Sequence, residues 1–388
     1  MRVCIDGRPM TEHFPGIGRY GHRLVDALAR LSPDDHFEVL IRPGQRSEGL
    51  SLAELATHPN VHLRPLSAGL LSPLSQVRGR SVIRESGADL YHATYWFGPW
   101  RPPCPMVQTC YDLVGRDAPD SLPLLNRLVL GAAVRLSLRR AGRVLAISET
   151  VAAGLRAGGL APADRIRVSP LAVDTTFRPA GAQAISDLRS RLGLTSSYVL
   201  YVGINKPHKN LGTLVRAWGR LQAGLGDGVA QGSQLVLAGP QDSRYQPALA
   251  AAVAAYCPPH SVRLLGRVAE ADLPALYSGA TAFAFPSLHE GFGLPVLEAM
   301  ACGCPVLAAE ATSLPEVAGD AALLLPPTDV ASWVEGLAAV LARPALADDL
   351  RARGLRRAAA FTWQRTADAT LTAYRDLLAE RDVAPPLP

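Results

Sequence analysis

The chain has 388 residues, 48% of them apolar and 19% charged, with a formal net charge of +5. That length suits two domains with separate cores, and the composition is that of a globular protein rather than a disordered or fibrous one. No apolar run approaches the ~20 residues of a spanning helix, and Met1-Arg-Val-Cys-Ile-Asp6 turns polar too soon for a signal peptide, so a cytoplasmic protein without a nucleic-acid partner is expected.

In the first half, short apolar runs at 3–5, 37–41, 61–63, 90–92, 106–109, 144–147 and 166–168 read as strands separated by longer helical stretches. Such alternation argues for a parallel sheet with helices on both faces. Pro15-Gly-Ile-Gly-Arg-Tyr20 lies between the first strand and a helix expected over about 19–30. A Gly-rich turn at that place can present backbone N–H groups to phosphate; the alternative is an ordinary tight turn. Gly16, Gly18 and Gly21 match the dinucleotide pattern G-x-G-x-x-G by letter only, because the loop after Ile5 is long. No acidic residue ends a second strand at the right distance, which argues against a dehydrogenase.

His92, at the end of the fourth run, reads equally as a contact to an acceptor or as a satisfied structural histidine. Trp96, Phe97 and Trp100 beside it could stack on a sugar or form a core patch. The leucine-rich stretch 122–140 carries Arg127, Arg135, Arg139 and Arg140. It reads as a domain helix with a basic solvent face, or as a segment lying on an anionic membrane surface. Ser148 is expected to cap a helix beginning at Glu149. Residues 174–182 are turn-rich and read as a linker.

A second alternating series has strands at 198–202, 234–237, 262–265, 282–285, 305–308 and 322–325. The Gly-rich stretch 224–232 reads as a surface loop. An amphipathic stretch at 366–379 precedes a Pro-rich tail. The expected organisation is an N-terminal domain over 1–175, a C-terminal domain over 176–365, and a last helix with its tail over 366–388. Two doubly wound domains bind ligands at their strand carboxyl ends, so an interdomain cleft is the default site. Cys4, Cys104, Cys110, Cys257, Cys302 and Cys304 show no C-x-x-C spacing and read as buried reduced thiols.

Two segments of the second half carry chemistry. The chain contains only two lysines, Lys206 and Lys209, both in Asn205-Lys-Pro-His-Lys-Asn-Leu211. A compact ammonium on a flexible stem suits a diphosphate. The other segment is Ser287-Leu-His-Glu-Gly-Phe-Gly-Leu-Pro-Val-Leu-Glu298, just after the apolar run 282–285. Pro295 suits the first turn of a helix, so the segment reads as strand, Gly-rich loop, helix. Glu290 falls in the loop and Glu298 in the first helical turn. Gly291 and Gly293 let the backbone approach a ligand, and the helix start favours an anion. Two acids bracketing an anion site are placed to hold sugar hydroxyls on either side of it.

The spacing of Glu290 and Glu298 resembles the E-x7-E signature of retaining GT-B glycosyltransferases. The continuations Ala299-Met-Ala-Cys-Gly-Cys-Pro-Val306 and Ser313-Leu-Pro-Glu-Val317 are similar to glycosyltransferase family 4. The Gly-Ile-Gly-Arg-Tyr20 loop resembles a family 4 subgroup that includes polymannose O-antigen mannosyltransferases. The resemblance spans almost the whole chain and implies the GT-B fold: two Rossmann-like α/β domains facing a cleft, with the last helix crossing back to the first domain. It implies transfer of a hexose from a nucleotide-diphosphate donor to a hydroxyl of a glycan or lipid-linked acceptor, with retained configuration, no cofactor and no divalent metal. GDP-mannose is the first donor choice and a UDP-sugar the second. Association with the inner face of the membrane remains open.

By the same resemblance, Glu290 holds the donor sugar, Glu298 the ribose and Lys209 the pyrophosphate. Gly16 and Gly18 lie against the donor diphosphate or the acceptor. Gly203, His208, Val268, Ser287, Gly291, Phe292, Gly293 and Leu294 complete the nucleotide-sugar site. His208 stands where many relatives have arginine. Tyr111 replaces the family histidine before Asp112, and a phenol can hydrogen-bond a hydroxyl but cannot become cationic; plain packing is the other reading of Tyr111. An epimerase-like GT-B enzyme and a non-catalytic nucleotide-sugar-binding partner are the competing functions.

Overall fold

Thirteen strands, β1 to β13, all pair in parallel in the computed structural model, which describes residues 1–11, 15–46, 51–70, 72–96, 98–99, 101–112, 124–194, 197–225 and 230–383. They form two sheets in two compact units. One unit comprises Met1–Leu171 and the chain from Thr362 onward; the other is Ala172–Phe361.

In the first unit the strands are β1 (Arg2–Asp6), β2 (His36–Ile41), β3 (Val61–Pro65), β4 (Leu90–Ala93), β5 (Met106–Cys110), β6 (Arg143–Ala146) and β7 (Ile166–Val168). Their spatial order is β3-β2-β1-β4-β5-β6-β7. The order reverses between β1 and β4, which is where an open α/β sheet leaves a crevice for ligand. Central strands such as β4 and β5 are buried along their whole length, so their polar residues His92, Gln108 and Thr109 are buried too.

The first helix runs Pro15–Leu31, four residues earlier than expected. Pro15 tolerates the first helical position because its missing N–H would have no intrahelical partner there. Gly16 and Gly18 therefore lie in the helical first turn and not in a turn before it.

The final helix, Trp363–Val383, packs against Pro15–Leu31 within this unit. Tyr374 on it meets His92 Nδ1 at 2.6 Å, and Glu380 pairs with Arg143. The helix Leu124–Arg140 buries Val134 and Leu138 and exposes Arg135, Arg139 and Arg140, as a domain helix with a basic solvent face does. Leu122, Arg127, Phe97 and Trp100 lie outside what is described. Ser148 caps its helix through Val151 N–H at 3.1 Å.

In the second unit the strands are β8 (Tyr198–Val202), β9 (Gln234–Ala238), β10 (Val262–Gly266), β11 (Ala282–Phe285), β12 (Val306–Ala309) and β13 (Ala322–Leu325). Their order is β10-β9-β8-β11-β12-β13. The reversal falls between β8 and β11, so the loops after these two strands flank the switch point. Asn210, at φ 55°, donates to Pro286 O at 3.1 Å and Pro327 O at 2.7 Å, tying the loop after β8 to the end of β11.

None of the six cysteines forms a disulfide; Cys104 and Cys257 are half-buried rather than buried. Among the described residues, no single helix is long and apolar enough to cross a membrane. Residues 226–229 of the Gly-rich stretch and 384–388 of the tail lie outside the described residues.

Candidate active site

The second unit brings the Glu290 loop of the Ser287–Glu298 segment against the lysine loop. Lys209 Nζ lies 2.5 Å from Glu290 Oε1, across the switch point between β8 and β11. Lys209 also sits over the Phe285 ring, 5.4 Å from its centroid. Both charges are largely withdrawn from solvent, which strengthens their attraction relative to an exposed pair. The Tyr201 phenol stacks on Phe285, and burial followed by the Glu290 carboxylate pushes its pKa well up.

The helix after the Glu290 loop runs Leu294–Ala301, with Gly293 at its N-cap at φ 111°. A Cβ on Gly293 would meet Leu314 Cδ2 at 2.6 Å, so both conformation and space require glycine there. Pro295 lies in the first turn as expected. Glu298 is the fifth helical residue and so belongs to the second turn, not the first, because the helix starts only at Leu294. It is 6% exposed and accepts a hydrogen bond from Tyr277 at 3.0 Å.

Around this pair, Ser287 is fully buried and its hydroxyl faces the carbonyls of His208 at 3.1 Å and His289 at 3.2 Å. It ties the two loops to each other. The Leu288 N–H also donates to His208 O, at 2.7 Å. The His208 imidazole is lowered to about 4, by burial first and then by the Lys209 charge, and so is neutral at pH 7. Gly291 is half-buried, and the Phe292 ring turns inward against Phe361, 5.9 Å away edge to face. Leu294 and Val268 are half-buried, the latter just beyond β10. Gly203 follows β8, and a Cβ there would meet the Tyr201 hydroxyl at 2.5 Å.

Several residues that hold these loops carry no local signal in sequence. Asn205 binds both backbone groups of Asp242, accepting from its N–H at 2.5 Å and donating to its carbonyl at 3.1 Å. Thr312 and Ser313 reach the backbone of Glu290. Tyr277 bonds Glu298 from 21 residues away. Asn205 lies in the loop three residues after the end of β8, and its partner Asp242 is 37 residues away.

In the first unit, Gly16 is exposed with open space around it, whereas a Cβ on Gly18 would press on the backbone of Pro9 and Thr11 at 3.2 Å. Tyr111 and Asp112 follow β5. Tyr111 is buried, donates to Thr94 O at 2.9 Å and meets Tyr20 edge-on at 5.4 Å. Asp112 is half-buried. His92 is fully buried, with Tyr374 on Nδ1 and Thr109 on Nε2 at 2.8 Å; its pKa is pushed down to about 3 by burial. Of its two readings, the structural one holds. Sequence reasoning passed over Asp6 and Arg8, which form a buried bidentate pair with the Tyr91 hydroxyl on the same carboxylate. The guanidinium holds the Asp6 pKa below its ordinary value against the effect of burial.

No group of three or more His, Cys, Asp or Glu side chains among the described residues is placed to hold a metal ion.

Two parallel sheets that each reverse their strand order, with a Lys–Glu pair at one switch point, define a doubly wound α/β architecture with its candidate site at strand carboxyl ends. The Glycosyl transferases group 1 family matches residues 187–357, and Glycosyltransferase Family 4 matches residues 15–177. O-antigen chain mannosyltransferase B of Escherichia coli is 29% identical over 389 residues, covering 97% of this chain and 100% of that protein. A D-inositol 3-phosphate glycosyltransferase of Salinispora arenicola is 30% identical over 407 residues, covering 95% of this chain and 90% of the relative. Among solved structures, Anabaena HepE in complex with UDP and glucose superposes with a TM-score of 0.73 at 19% identity, over 97% of this chain and 100% of the other. The chain belongs to the GT-B glycosyltransferases of family 4, and its activity is glycosyl transfer.

Proposed function

We propose that this glycosyltransferase moves a hexose from a nucleoside-diphosphate donor to a hydroxyl of a glycan or lipid-linked acceptor, with retained configuration and without a divalent metal. Mannose from GDP-mannose is the first choice of donor and a UDP-sugar the second. The observation that carries the reading is the Lys209–Glu290 pair beside the start of the helix Leu294–Ala301, with Glu298 one turn further on. The full-length similarity to an O-antigen mannosyltransferase supports the choice of sugar and a role in cell-envelope or exopolysaccharide synthesis.

In this mechanism the bond from the sugar's anomeric carbon to the diphosphate oxygen breaks. A bond from the acceptor oxygen forms on the same face, and the acceptor proton passes to the departing phosphate. Lys209 and the positive end of the helix dipole stabilise the charge on the leaving group. Glu290 holds donor-sugar hydroxyls and stabilises the oxocarbenium-like transition state. Glu298 holds the ribose. His208, neutral at pH 7, offers a hydrogen bond without a charge. Gly203, Val268, Ser287, Gly291, Phe292, Gly293 and Leu294 shape the donor pocket, chiefly through backbone. Gly16 and Gly18 serve the donor diphosphate or the acceptor, and Tyr111 and Asp112 act beside the donor sugar. The enzyme acts in the cytoplasm, and the basic face at Arg135, Arg139 and Arg140 gives it a route to an anionic membrane surface.

Calorimetric titration with GDP, UDP, ADP and dTDP in the presence of chelator tests the donor site, followed by transfer assays with the matching nucleotide sugar. One nucleotide that binds under chelation supports the reading. Binding that appears only with added metal ends the metal-independent mechanism. Donor conversion without acceptor would replace the transferase chemistry with an epimerase-like one.

A further inference from the structure

Thr312 is one of three non-glycine residues with positive φ among those described, at φ 49°. A β-branched side chain is disfavoured in the left-handed region because its Cβ crowds the backbone. Such a conformation persists only where the surroundings enforce it. Here Thr312 directs Oγ1 at the backbone N–H of Glu290, 3.0 Å away.

The next residue is equally unusual in its use. Ser313 occupies the N-cap position of the short helix Leu314–Ala318, where a serine hydroxyl ordinarily accepts a helix N–H. It makes no such bond. Its hydroxyl faces Glu290 O at 2.9 Å and Phe292 O at 2.7 Å, sharing one proton between two carbonyls. Ser313 is fully buried. Leu314 then packs where a Cβ on Gly293 would stand.

Three consecutive side chains after β12 thus grip the loop from Glu290 to Gly293, and the first two do so at the cost of favourable local conformation or capping. We propose that Thr312 and Ser313 are positioning residues for Glu290, holding its backbone so that its carboxylate meets the donor sugar rather than remaining on Lys209 alone. The inference rests on the reading of Glu290 as the sugar-binding carboxylate. Thr312 touches the N–H of Glu290 itself, so a shift there moves the carboxylate directly, whereas Lys209 and Glu298 are held by other elements.

The consequence is a split between sugar-dependent and nucleotide-dependent steps. Thr312→Val removes the acceptor oxygen and keeps the branched shape. It should lower kcat about ten- to a hundredfold, the scale on which small misplacements of a reacting group act, and leave the Kd for the nucleoside diphosphate within about threefold. Thr312→Ser keeps the hydroxyl and should restore most of kcat. Thr312→Gly relieves the backbone strain but lacks the hydroxyl; it should raise the thermal unfolding midpoint or leave it unchanged while remaining as slow as Thr312→Val.

The experiment measures kcat, donor KM, nucleotide Kd and unfolding midpoint for these three variants beside Glu290→Gln and the unmodified protein. Loss of kcat in Thr312→Val with rescue by Thr312→Ser supports the inference. A Thr312→Val enzyme with full kcat, beside a slow Glu290→Gln, overturns it. Equal damage in Thr312→Val and Thr312→Ser, with a lowered unfolding midpoint, also overturns it, because that pattern is general destabilisation. An unmodified protein that transfers sugar while Glu290→Gln keeps full activity overturns instead the role given to Glu290, and the positioning role falls with it.

Discussion

Lys209 Nζ and Glu290 Oε1, separated by 81 residues in sequence, form a 2.5 Å ion pair at the junction of the loops after β8 and β11. Each charge is the other's ion-pair partner. On the proposed reading, a diphosphate entering the site would compete with Glu290 for Lys209, and the sugar hydroxyls that follow would take up the released carboxylate.

Lys209→Ala should therefore weaken nucleoside diphosphate binding by about 2 kcal/mol, a factor of about 30. Glu290→Gln should leave that binding intact or tighten it, because Lys209 loses a competing partner, while transfer falls about a hundredfold or more. Calorimetry and initial rates separate the two effects. Equal loss of binding in both variants would contradict the assignment.

Glu298 is held from the side by the Tyr277 hydroxyl. Glu298→Ala should weaken nucleotide binding, with activity recoverable at high donor concentration. Tyr277→Phe removes one hydrogen bond to a carboxylate and should cost about 1.5 kcal/mol of binding. A Tyr277→Phe protein that binds nucleotide as tightly as the unmodified one would show that this bond is dispensable.

Buried histidines set the response to acid. His92 and His208 are depressed to about 3 and about 4, both chiefly by burial. The unfolded chain therefore binds protons, between its ordinary imidazole pKa of ~6.5 and those lowered values, that the folded chain does not. Their contribution to stability is complete above about pH 6.5 and is lost as pH falls through the folded values. Urea midpoints should fall steadily from pH 7 to pH 4, with a shallower fall in His92→Gln. A pH-independent midpoint over that range would contradict the burial of neutral imidazoles.

The Tyr374–His92 bond fastens the final helix to the sheet of the first unit. Tyr374→Phe leaves a buried ring nitrogen without its partner and should cost about 1–3 kcal/mol. The loss should appear as a lower thermal midpoint, with nucleotide affinity unchanged.

Much of the local structure was legible because its determinants are neighbours in sequence. The apolar runs at 198–202, 234–237 and 282–285 became β8, β9 and β11 with bounds moved by at most one residue. Pro295 marked a helix start, and Gly293 marked the backbone position that only glycine fits. Boundaries failed where two local signals competed: Pro15 begins the first helix even though Gly16 and Gly18 suggested a turn, since an exposed glycine such as Gly16 lowers helix propensity without forbidding the conformation. The contacts of Asn205, Thr312 and Ser313 were not legible because they run to distant backbone. Nothing next to them in the chain announces those contacts.

By itself the sequence determined the alternation of strands and helices, the parallel α/β class and the Glu290–Glu298 motif, since strand period, Gly and Pro punctuation and motif spacing act over a few residues. Tertiary structure alone decided the strand order and the partners of the key side chains. Lys209 meets Glu290 across 81 residues and His92 meets Tyr374 across 282. Lys209 and Glu290 become neighbours because parallel crossovers bring the ends of β8 and β11 together at a switch point, and His92 and Tyr374 because the final helix packs onto the first unit. The conformation of Thr312 was decided there too, because a left-handed threonine is held in place by its surroundings and not by its own preference.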